Sequence, residues 1–344
     1  MAGNSGVSAV EPGFDWFLHR HGLAHEGEQA SWTALAGGVS SDIWRVDLPG
    51  RTICVKRALA KLRVGSDWHA PVSRNRYEWE WLRLAAGIVP RSVPAPLAHD
   101  PELGLFAMAF LPADRYPLWK QQLLAGQVDA GTAARVGQLL ATLHNATAGR
   151  VEVAAAFDTL DNFHALRLEP YLLATAVRHP DLQPELAALV ARTGQAKIAL
   201  VHGDASPKNI LVGPDAPVLL DAECAWYGDP AFDIAFCLNH LLLKSVFLPQ
   251  HLHALLQAFE AMAASYLDEV RFEKRAELQA RAASLLPALT LARIDGKSPV
   301  EYLVGRPLQQ DLVRSMTRPL IARPADSLAA IVQAWRAGVE NPAS

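Results

Sequence analysis

The sequence predicts an α+β protein with two lobes, a small β-rich lobe at residues 1–112 and a larger, mainly helical lobe at residues 113–344. Short β-like runs alternate with turn residues in the first third of the chain. Long Ala- and Leu-rich patterns of helical period fill the remainder, and the change follows Leu111-Pro112. With 344 residues and 51% hydrophobic side chains, the chain is large enough to bury a sizeable core.

The first lobe begins with apolar residues at helical spacing from Phe14 to Leu23. Turn residues, including the Gly-rich segment 37–42, then separate three β-like runs and predict an antiparallel meander: Trp32 to Leu35, Ile43 to Leu48 and Thr52 to Val55. Helix formers and an aromatic stripe predict a helix over 74–86. A hairpin-like pair at 97–98 and 105–110 completes the lobe.

The second lobe is predicted to be helical over four ranges: 132–144, 182–192, 252–266 and 328–339. Three short β-like runs interrupt the helices at 199–201, 210–212 and 218–220. This lobe therefore contains strands only around its central segment, where polar residues are concentrated.

Composition limits the class of partner. The 32 Lys and Arg residues nearly balance 35 Asp and Glu residues, which argues against nucleic acid and against an anionic membrane surface. No apolar run approaches the length of a bilayer span, and residues 1–10 lack the pattern of a leader, so we expect a cytoplasmic protein. Three cysteines without a CxxC pair are typical of a reducing compartment and leave no thiolate zinc site.

The most informative segment is 199–235. His202-Gly203-Asp204 follows a β-like run, Asn209 lies five residues beyond Asp204, and Asp221-Ala222-Glu223 follows the next apolar run. Such residues, at a strand end and across a hairpin, can converge on one point. Asn209, Asp221 and Glu223 offer hard oxygen atoms of the kind that Mg²⁺ prefers. Asp204 is then left to accept a proton from an attacking hydroxyl group.

His-Gly-Asp alone is weak evidence, but the full ordered set of polar residues is far less common by chance. We interpret His202 as a structural residue that hydrogen-bonds the loop backbone, because the neighbouring carboxylate already provides a base. Asp233 begins an apolar helical segment and is expected to brace the same loop, since a buried carboxylate needs donors.

A second set lies upstream. Lys56 ends a β-like run and Glu78 lies in the next predicted helix, so the lysine can reach nucleotide phosphates while the glutamate holds it. Gly37, Gly38 and Ser40 join two strands and are not followed by a helix. The dinucleotide-binding interpretation therefore fails, and a hairpin loop that covers phosphates remains.

At these residues the sequence resembles the protein-kinase-like small-molecule phosphotransferases, a superfamily that contains aminoglycoside phosphotransferases, choline kinases and methylthioribose kinases. It is most similar to the methylthioribose kinases. Lys56-Arg57-Ala58-Leu59 resembles their lysine strand, and the segment 221–228 resembles their metal segment, in which Asp-x-Glu replaces Asp-Phe-Gly. Two departures are Asn209, where those kinases carry a small hydroxyl residue, and Arg293, which matches only one of their paired arginines.

The resemblance implies a bilobal protein-kinase-like fold, with ATP and Mg²⁺ as cofactors and a small-molecule hydroxyl as acceptor. It places Phe110 and Leu111 near adenine, and it implies that Arg293 reaches the acceptor. Trp226, just beyond the carboxylate pair, forms either a wall of the acceptor pocket or ordinary core packing.

Alternatives remain at this stage. A silent nucleotide-binding module could share the fold, although all of the catalytic residue types are present. A hydrolase or metalloenzyme is poorly supported because the sequence has neither GxSxG nor HExxH. Acidic and basic residues nearly balance over 113–200 and 226–300, which favours a neutral, sugar-like acceptor over an aminoglycoside or amino alcohol.

Overall fold

The computed structural model describes residues 12–35, 41–59 and 72–341 of the chain. The chain divides into two compact units, residues 1–112 and residues 113–344. A five-stranded sheet belongs to the first unit, while helices dominate the second. The α+β class predicted from the sequence is therefore confirmed.

The sheet of the first unit is antiparallel throughout, with strand order β1-β2-β3-β5-β4. Its strands are β1 (Ser31–Ala34), β2 (Ser41–Leu48), β3 (Arg51–Ala58), β4 (Pro96–Asp100) and β5 (Leu105–Ala109). The β3 strand is central, because it pairs with both β2 and β5. Lys56 consequently lies between Ile43 on one side and Phe106 on the other.

Two helices accompany the sheet, α1 (Pro12–Arg20) and α2 (Arg74–Ile88). The apolar side of α1 inserts Phe14, Phe17 and Leu18 into a core that includes inward-facing residues of the central strands. Helix α2 packs against β3, β4 and β5 and buries a face that includes Glu78. Burial of these apolar surfaces is the main stabilising contribution in the unit.

The second unit contains helices α3 to α13 and a π-helix between α6 and α7. They are α3 (Trp119–Leu124), α4 (Ala130–Thr147), α5 (Val151–Ala156), α6 (Leu160–Phe163), the π-helix (His164–Leu173), α7 (Ala174–Arg178), α8 (Gln183–Gln195), α9 (Ala231–Phe247), α10 (Leu252–Glu269), α11 (Arg275–Asp295), α12 (Pro307–Ala322) and α13 (Leu328–Glu340). The four predicted helices correspond to α4, α8, α10 and α13.

Two short antiparallel ladders lie among these helices. The β6 strand (Ala199–Val201) pairs with β9 (Trp226–Gly228), and β7 (Ile210–Val212) pairs with β8 (Pro217–Leu219). The loop after β6 therefore leads into the β7–β8 hairpin, and the chain returns through residues 220–225 to pair beside β6. This path places two polar loops at neighbouring strand ends. Within the described ranges, no helix is both long and apolar enough to cross a membrane.

Candidate active site

The loop after β6 is held by Asp233, which lies in the first turn of α9 and is fully buried. Its Oδ2 accepts the backbone N–H of His202 at 2.7 Å, and its Oδ1 accepts that of Gly203 at 2.9 Å. The Nε2–H of His144, from α4, donates to the same carboxylate at 3.2 Å. These bonds satisfy a buried charge and fix the start of the loop.

His202 links the loop to the segment that follows β8. Its Nδ1 accepts the backbone N–H of Asp204 at 3.1 Å, so its Nε2–H donates to the carbonyl oxygen of Leu220 at 3.1 Å. Burial lowers the pKa of this imidazole, against the carboxylates around it. The neutral tautomer required by the two hydrogen bonds is therefore favoured.

Asp204 is the centre of the loop, with only 1% of its surface exposed. Its Oδ2 receives three donors: Asn209 Nδ2 at 2.8 Å, Arg167 Nη2 at 2.8 Å and Lys208 Nζ at 3.0 Å. Its Oδ1 is buried and has no hydrogen-bond partner in the described part of the chain. One oxygen is thus fixed in place, while the hydrogen-bonding capacity of the other is unused among the described residues.

Arg167 is a member of this site that the sequence patterns do not reveal. It lies in the π-helix, where it is buried and also donates through Nε to the carbonyl oxygen of Gly203 at 2.6 Å. Burial opposes its charge, but Asp204, Cys224, Tyr171 and Glu223 together outweigh that effect and raise the pKa of the guanidinium. π-helical turns occur frequently at functional sites, because they shift a side chain out of the regular helical register.

Asp221 has an unusual backbone. Its φ of 66° makes it the one non-glycine residue with positive φ in the described ranges, although aspartate tolerates this region better than most residues. Its side chain is half-buried, and together with Asp204 it raises the pKa of Lys208 against the opposing effect of burial. Strain of this kind is concentrated at functional sites.

Gly203 brings the two loops into contact. Its φ is 75°, and a Cβ atom at this position would lie 2.5 Å from the carbonyl oxygen of Cys224. Only glycine permits this approach. The Cys224 thiol is buried, which raises its pKa well above the ordinary value, and the charges of Arg167, Glu223, Asp204 and Asp221 all act on it. These charged groups therefore converge around one buried residue.

Asn209, Asp221 and Glu223 are the residues predicted to hold Mg²⁺. Asn209 lies in a 3₁₀ turn with its amide nitrogen bonded to Asp204, an orientation that turns its amide oxygen away from that carboxylate. In the described ranges, no group of three His, Cys, Asp or Glu side chains could hold a metal ion. A mixed set of one amide and two carboxylates fits Mg²⁺, which keeps several waters and takes few protein ligands.

The first unit contains the predicted lysine–glutamate pair. Lys56 Nζ in β3 lies 2.7 Å from Glu78 Oε1 in α2, and both side chains are buried. Phe110 and Leu111 directly follow β5, and the Arg45 guanidinium lies 5.1 Å from the centre of the Phe110 ring. Gly37, Gly38 and Ser40 lie outside the described residues.

Trp226 and Arg293 have different surroundings. Trp226 is fully buried in β9, where its ring stacks on Phe163 at 4.3 Å, so the core-packing alternative is favoured over a pocket wall. Arg293 is buried in α11 and donates through Nη1 to the hydroxyl group of Tyr171 at 3.1 Å. Tyr171 lies one helical turn beyond Arg167, so Arg293 reaches the neighbourhood of the loop after β6.

Comparison with protein families identifies the class of protein. Residues 31–272 match the Phosphotransferase enzyme family (APH), and since this is well over half of the chain, the protein belongs to that family. The resemblance inferred from the motifs is thereby confirmed.

Among curated proteins, the chain is 29% identical over 223 residues to the methylthioribose kinase of Pectobacterium atrosepticum, covering 57% of this chain and 55% of that protein. It is 28% identical over 222 residues to methylthioribose kinase 1 of Oryza sativa subsp. japonica, covering 56% and 51%. The chain thus spans about half the length of these relatives. Among solved structures, an aminoglycoside phosphotransferase from Alicyclobacillus acidocaldarius superposes with a TM-score of 0.48 and 16% identity, covering 98% of this chain and 100% of that one.

Proposed function

We propose that this protein is an ATP- and Mg²⁺-dependent kinase that transfers the γ-phosphoryl group to a hydroxyl group of a small, sugar-like molecule. The observation that carries the proposal is the state of Asp204, a buried carboxylate with one oxygen held by three N–H donors and the other without a partner in the described residues. A carboxylate held in this way is suited to accept a proton from an acceptor hydroxyl.

In the proposed reaction the acceptor hydroxyl donates a hydrogen bond to Asp204 Oδ1. As the bond from the acceptor oxygen to the γ-phosphorus forms, the bond from that phosphorus to the β–γ bridging oxygen breaks, and ADP leaves. The hydroxyl proton passes to Asp204. Arg167 and Lys208 supply positive charge beside the carboxylate. Most of the catalytic effect in phosphoryl transfer comes from such positioning and charge stabilisation.

The proposed cofactor residues form two groups. Asn209, Asp221 and Glu223 would hold Mg²⁺, which neutralises phosphate charge when it is bound. Lys56, oriented by Glu78, would contact the α- and β-phosphates of ATP. The other proposed nucleotide contacts are Gly37, Gly38 and Ser40 over the phosphates and Phe110 and Leu111 beside adenine.

The names of the curated relatives support a sugar-like acceptor. Two buried positive side chains of the helical unit, Lys244 and Arg293, disfavour a polycationic aminoglycoside. An ATP-dependent enzyme of this kind fits the cytoplasmic location expected from the sequence.

The proposal is tested by measuring ADP release with a panel of ribose derivatives, hydroxy acids, amino alcohols and aminoglycosides. Asp204→Asn should lower kcat by about 10²- to 10⁴-fold, the usual effect of losing a positioned base, while ATP binding stays near the wild-type level. Asp158→Asn is the matched control, because Asp158 is exposed and pairs with Lys197 on the surface. Wild-type turnover by Asp204→Asn would refute the assignment, and nucleotide binding without turnover of any acceptor would indicate a silent module.

A further inference from the structure

The helical unit buries two cationic side chains that have no carboxylate partner among the described residues. Lys244 in α9 is 1% exposed and Arg293 in α11 is 7% exposed. No carboxylate of the described residues lies within 4.0 Å of either group. Buried charges in proteins are normally paired, since desolvation of an isolated charge is unfavourable. These two side chains therefore require an explanation.

Both side chains have unused donors. Lys244 Nζ makes one long hydrogen bond, of 3.5 Å, to the carbonyl oxygen of His240 and lies 5.1 Å from the centre of the Tyr302 ring. Arg293 donates only through Nη1, to Tyr171 and Ser298. Among the described residues its buried Nε and its Nη2 donate to no acceptor, and neither does the buried Tyr302 hydroxyl group. The Nε–Nη2 edge of arginine is one that can form two parallel bonds with a carboxylate or a phosphate.

These donors lie beside the catalytic loop. The Arg293 guanidinium carbon is 5.6 Å from the centre of the Tyr171 ring, and that of Arg167 is 5.7 Å from the same centre. Arg167 is also the ion-pair partner of Asp204. In addition, the charges of Lys244, Arg293 and Lys208 all act on the buried His240 ring and, with burial, lower its pKa. Tyr171 and Arg167 thus connect Arg293 to the proposed base.

The surrounding charge is positive. Lys120 pairs with Glu301, so that neighbouring carboxylate is already engaged. Burial, reinforced by Lys120, lowers the pKa of Lys244 to about 7. Buried groups with strongly shifted pKa values are concentrated at functional sites, and among the described residues no ion pair accounts for this one.

We propose that the acceptor carries an anionic group, a carboxylate or a phosphate, in addition to its reacting hydroxyl, and that Lys244, the Nε–Nη2 edge of Arg293 and the Tyr302 hydroxyl bind it. This inference rests on the proposed kinase function and names its substrate class. A hydroxy acid, a sugar acid or a sugar phosphate has this chemistry. The near balance of charge along the sequence predicts a neutral acceptor. This inference differs from that prediction because composition does not distinguish buried cations from surface ones.

Matched acceptors test the inference. Wild-type kcat/KM is measured for D-ribose, D-ribonate and D-ribose 5-phosphate, and for glycerol, D-glycerate and glycerol 3-phosphate. At least one anionic member should exceed its neutral counterpart by about 10- to 100-fold, the effect of one or two charge-assisted hydrogen bonds. Comparison of the carboxylate acceptors with the phosphate acceptors shows which anion the site binds. Equal use of neutral and anionic members would overturn the inference while leaving the kinase assignment intact.

Variants then locate the anion site. Lys244→Met should raise KM for the preferred anionic acceptor by about 10- to 100-fold and leave kcat/KM for its neutral counterpart within about twofold. Arg293→Lys keeps the charge but loses the edge that can form two parallel hydrogen bonds. It should raise KM for the anionic acceptor by a smaller factor. Lys274→Met is the control, since Lys274 is exposed and pairs with Glu277 on the surface. Equal losses for both acceptors in Lys244→Met would indicate a packing role and overturn the assignment.

Binding separates this inference from the kinase proposal. Melting temperatures are measured with increasing inorganic phosphate and with increasing D-glycerate, for the wild type and for Lys244→Met. A shift in the wild type that the variant loses supports the anion site even if no acceptor is turned over. The absence of a shift with both probes, together with a lack of turnover of every anionic acceptor, would overturn the inference.

Discussion

The ammonium group of Lys244 makes the stability of the protein depend on pH. Its pKa falls from an ordinary 10.5 to about 7, because of burial and then because of Lys120. Between these values the unfolded chain binds a proton that the folded chain does not, so stability rises with pH through this window. Below pH 7 the Lys244 side chain is charged in both the folded and the unfolded chain, so folding still carries the full cost of desolvating that charge. The groups that also act on Lys244 are Glu301, Cys237 and Arg293, and His240 lies one turn before it on α9.

Lys244→Met should therefore stabilise the protein by about 1–4 kcal/mol at pH 6, as hydrophobic replacements of buried charges often do. The gain should shrink steadily as the pH approaches 10. Urea unfolding of both proteins at pH 6, 8 and 10 measures the difference, with Lys274→Met as the surface control. A pH-independent difference of either sign would contradict the titration and point to altered packing.

Residues close together in the sequence are the ones that sequence analysis identifies. Asp204, Asn209 and Asp221 fall within one short segment, where their spacing carries information. Arg167 reaches the same neighbourhood from the π-helix, and Lys244 lies in α9; single cationic residues in helical runs give no pattern. Their contribution depends on tertiary packing that periodicity does not encode.

At the scale of secondary-structure elements, Gly203 brings the loop after β6 into contact with the segment after β8. Gly203→Ala should be destabilising in two ways, through its φ of 75° and through a Cβ contact of 2.5 Å with the Cys224 carbonyl oxygen. Gly305 is a matched control, since its φ is 74° and no atom lies within 4 Å of the position that an added Cβ would take. Gly305→Ala should lower the free energy of unfolding only by the cost of a left-handed backbone for a residue with a Cβ atom, about 1–2 kcal/mol.

We expect Gly203→Ala to lose more stability than Gly305→Ala and to lower kcat as well, because the alanine must displace either loop. Chemical unfolding and ADP release measure the two effects. Equal stability losses and unchanged kcat in both variants would show that the contact between the loops is unimportant.

The pair formed by β3 and α2 gives a second test at this scale. Lys56→Ala and Glu78→Ala should each raise KM for ATP, and the glutamate variant should do so less, because it acts through the lysine. The free-energy change in the double variant should be smaller than the sum of the two single changes. The coupling free energy should be about 0.5–3 kcal/mol, as for groups in direct contact. The exposed pair Lys197–Asp158 should show almost no coupling. Additive effects of Lys56→Ala and Glu78→Ala would contradict a functional ion pair.

Several helices outside the four ranges named from the sequence have weaker sequence patterns, for identifiable physical reasons. Helix α9 is buried along nearly its entire length and is apolar on all sides, so it lacks the amphipathic period that marks a surface helix. Helices α11 and α12 and the π-helix each contain an internal proline, which a sequence pattern treats as a break. Tertiary packing overrides both signals.

For the molecule as a whole, the family match leaves the acceptor open. Residues 31–272 belong to the matched region, whereas Arg293 and Tyr302 lie beyond it. The motifs that carry the family resemblance belong to the proposed phosphoryl-transfer site, while the proposed anion-binding residues come partly from the C-terminal helices. Substrate class in such a fold is determined by side chains outside the motifs, and it must be derived from the structure.

Nucleotide binding should stabilise the folded chain, because a ligand that binds only the folded state adds about 2.7 kcal/mol at a concentration of 100 times Kd. Thermal unfolding is measured with ATP alone and with ATP and Mg²⁺. In the wild type we expect Mg²⁺ to raise the melting temperature beyond the effect of ATP, because Asn209, Asp221 and Glu223 would hold the ion. Asp221→Ala should retain the response to ATP and lose most of the Mg²⁺ increment. Asp215→Ala, an exposed aspartate between β7 and β8, is the control. Equal Mg²⁺ increments in the wild type and in Asp221→Ala would remove Asp221 from the metal site.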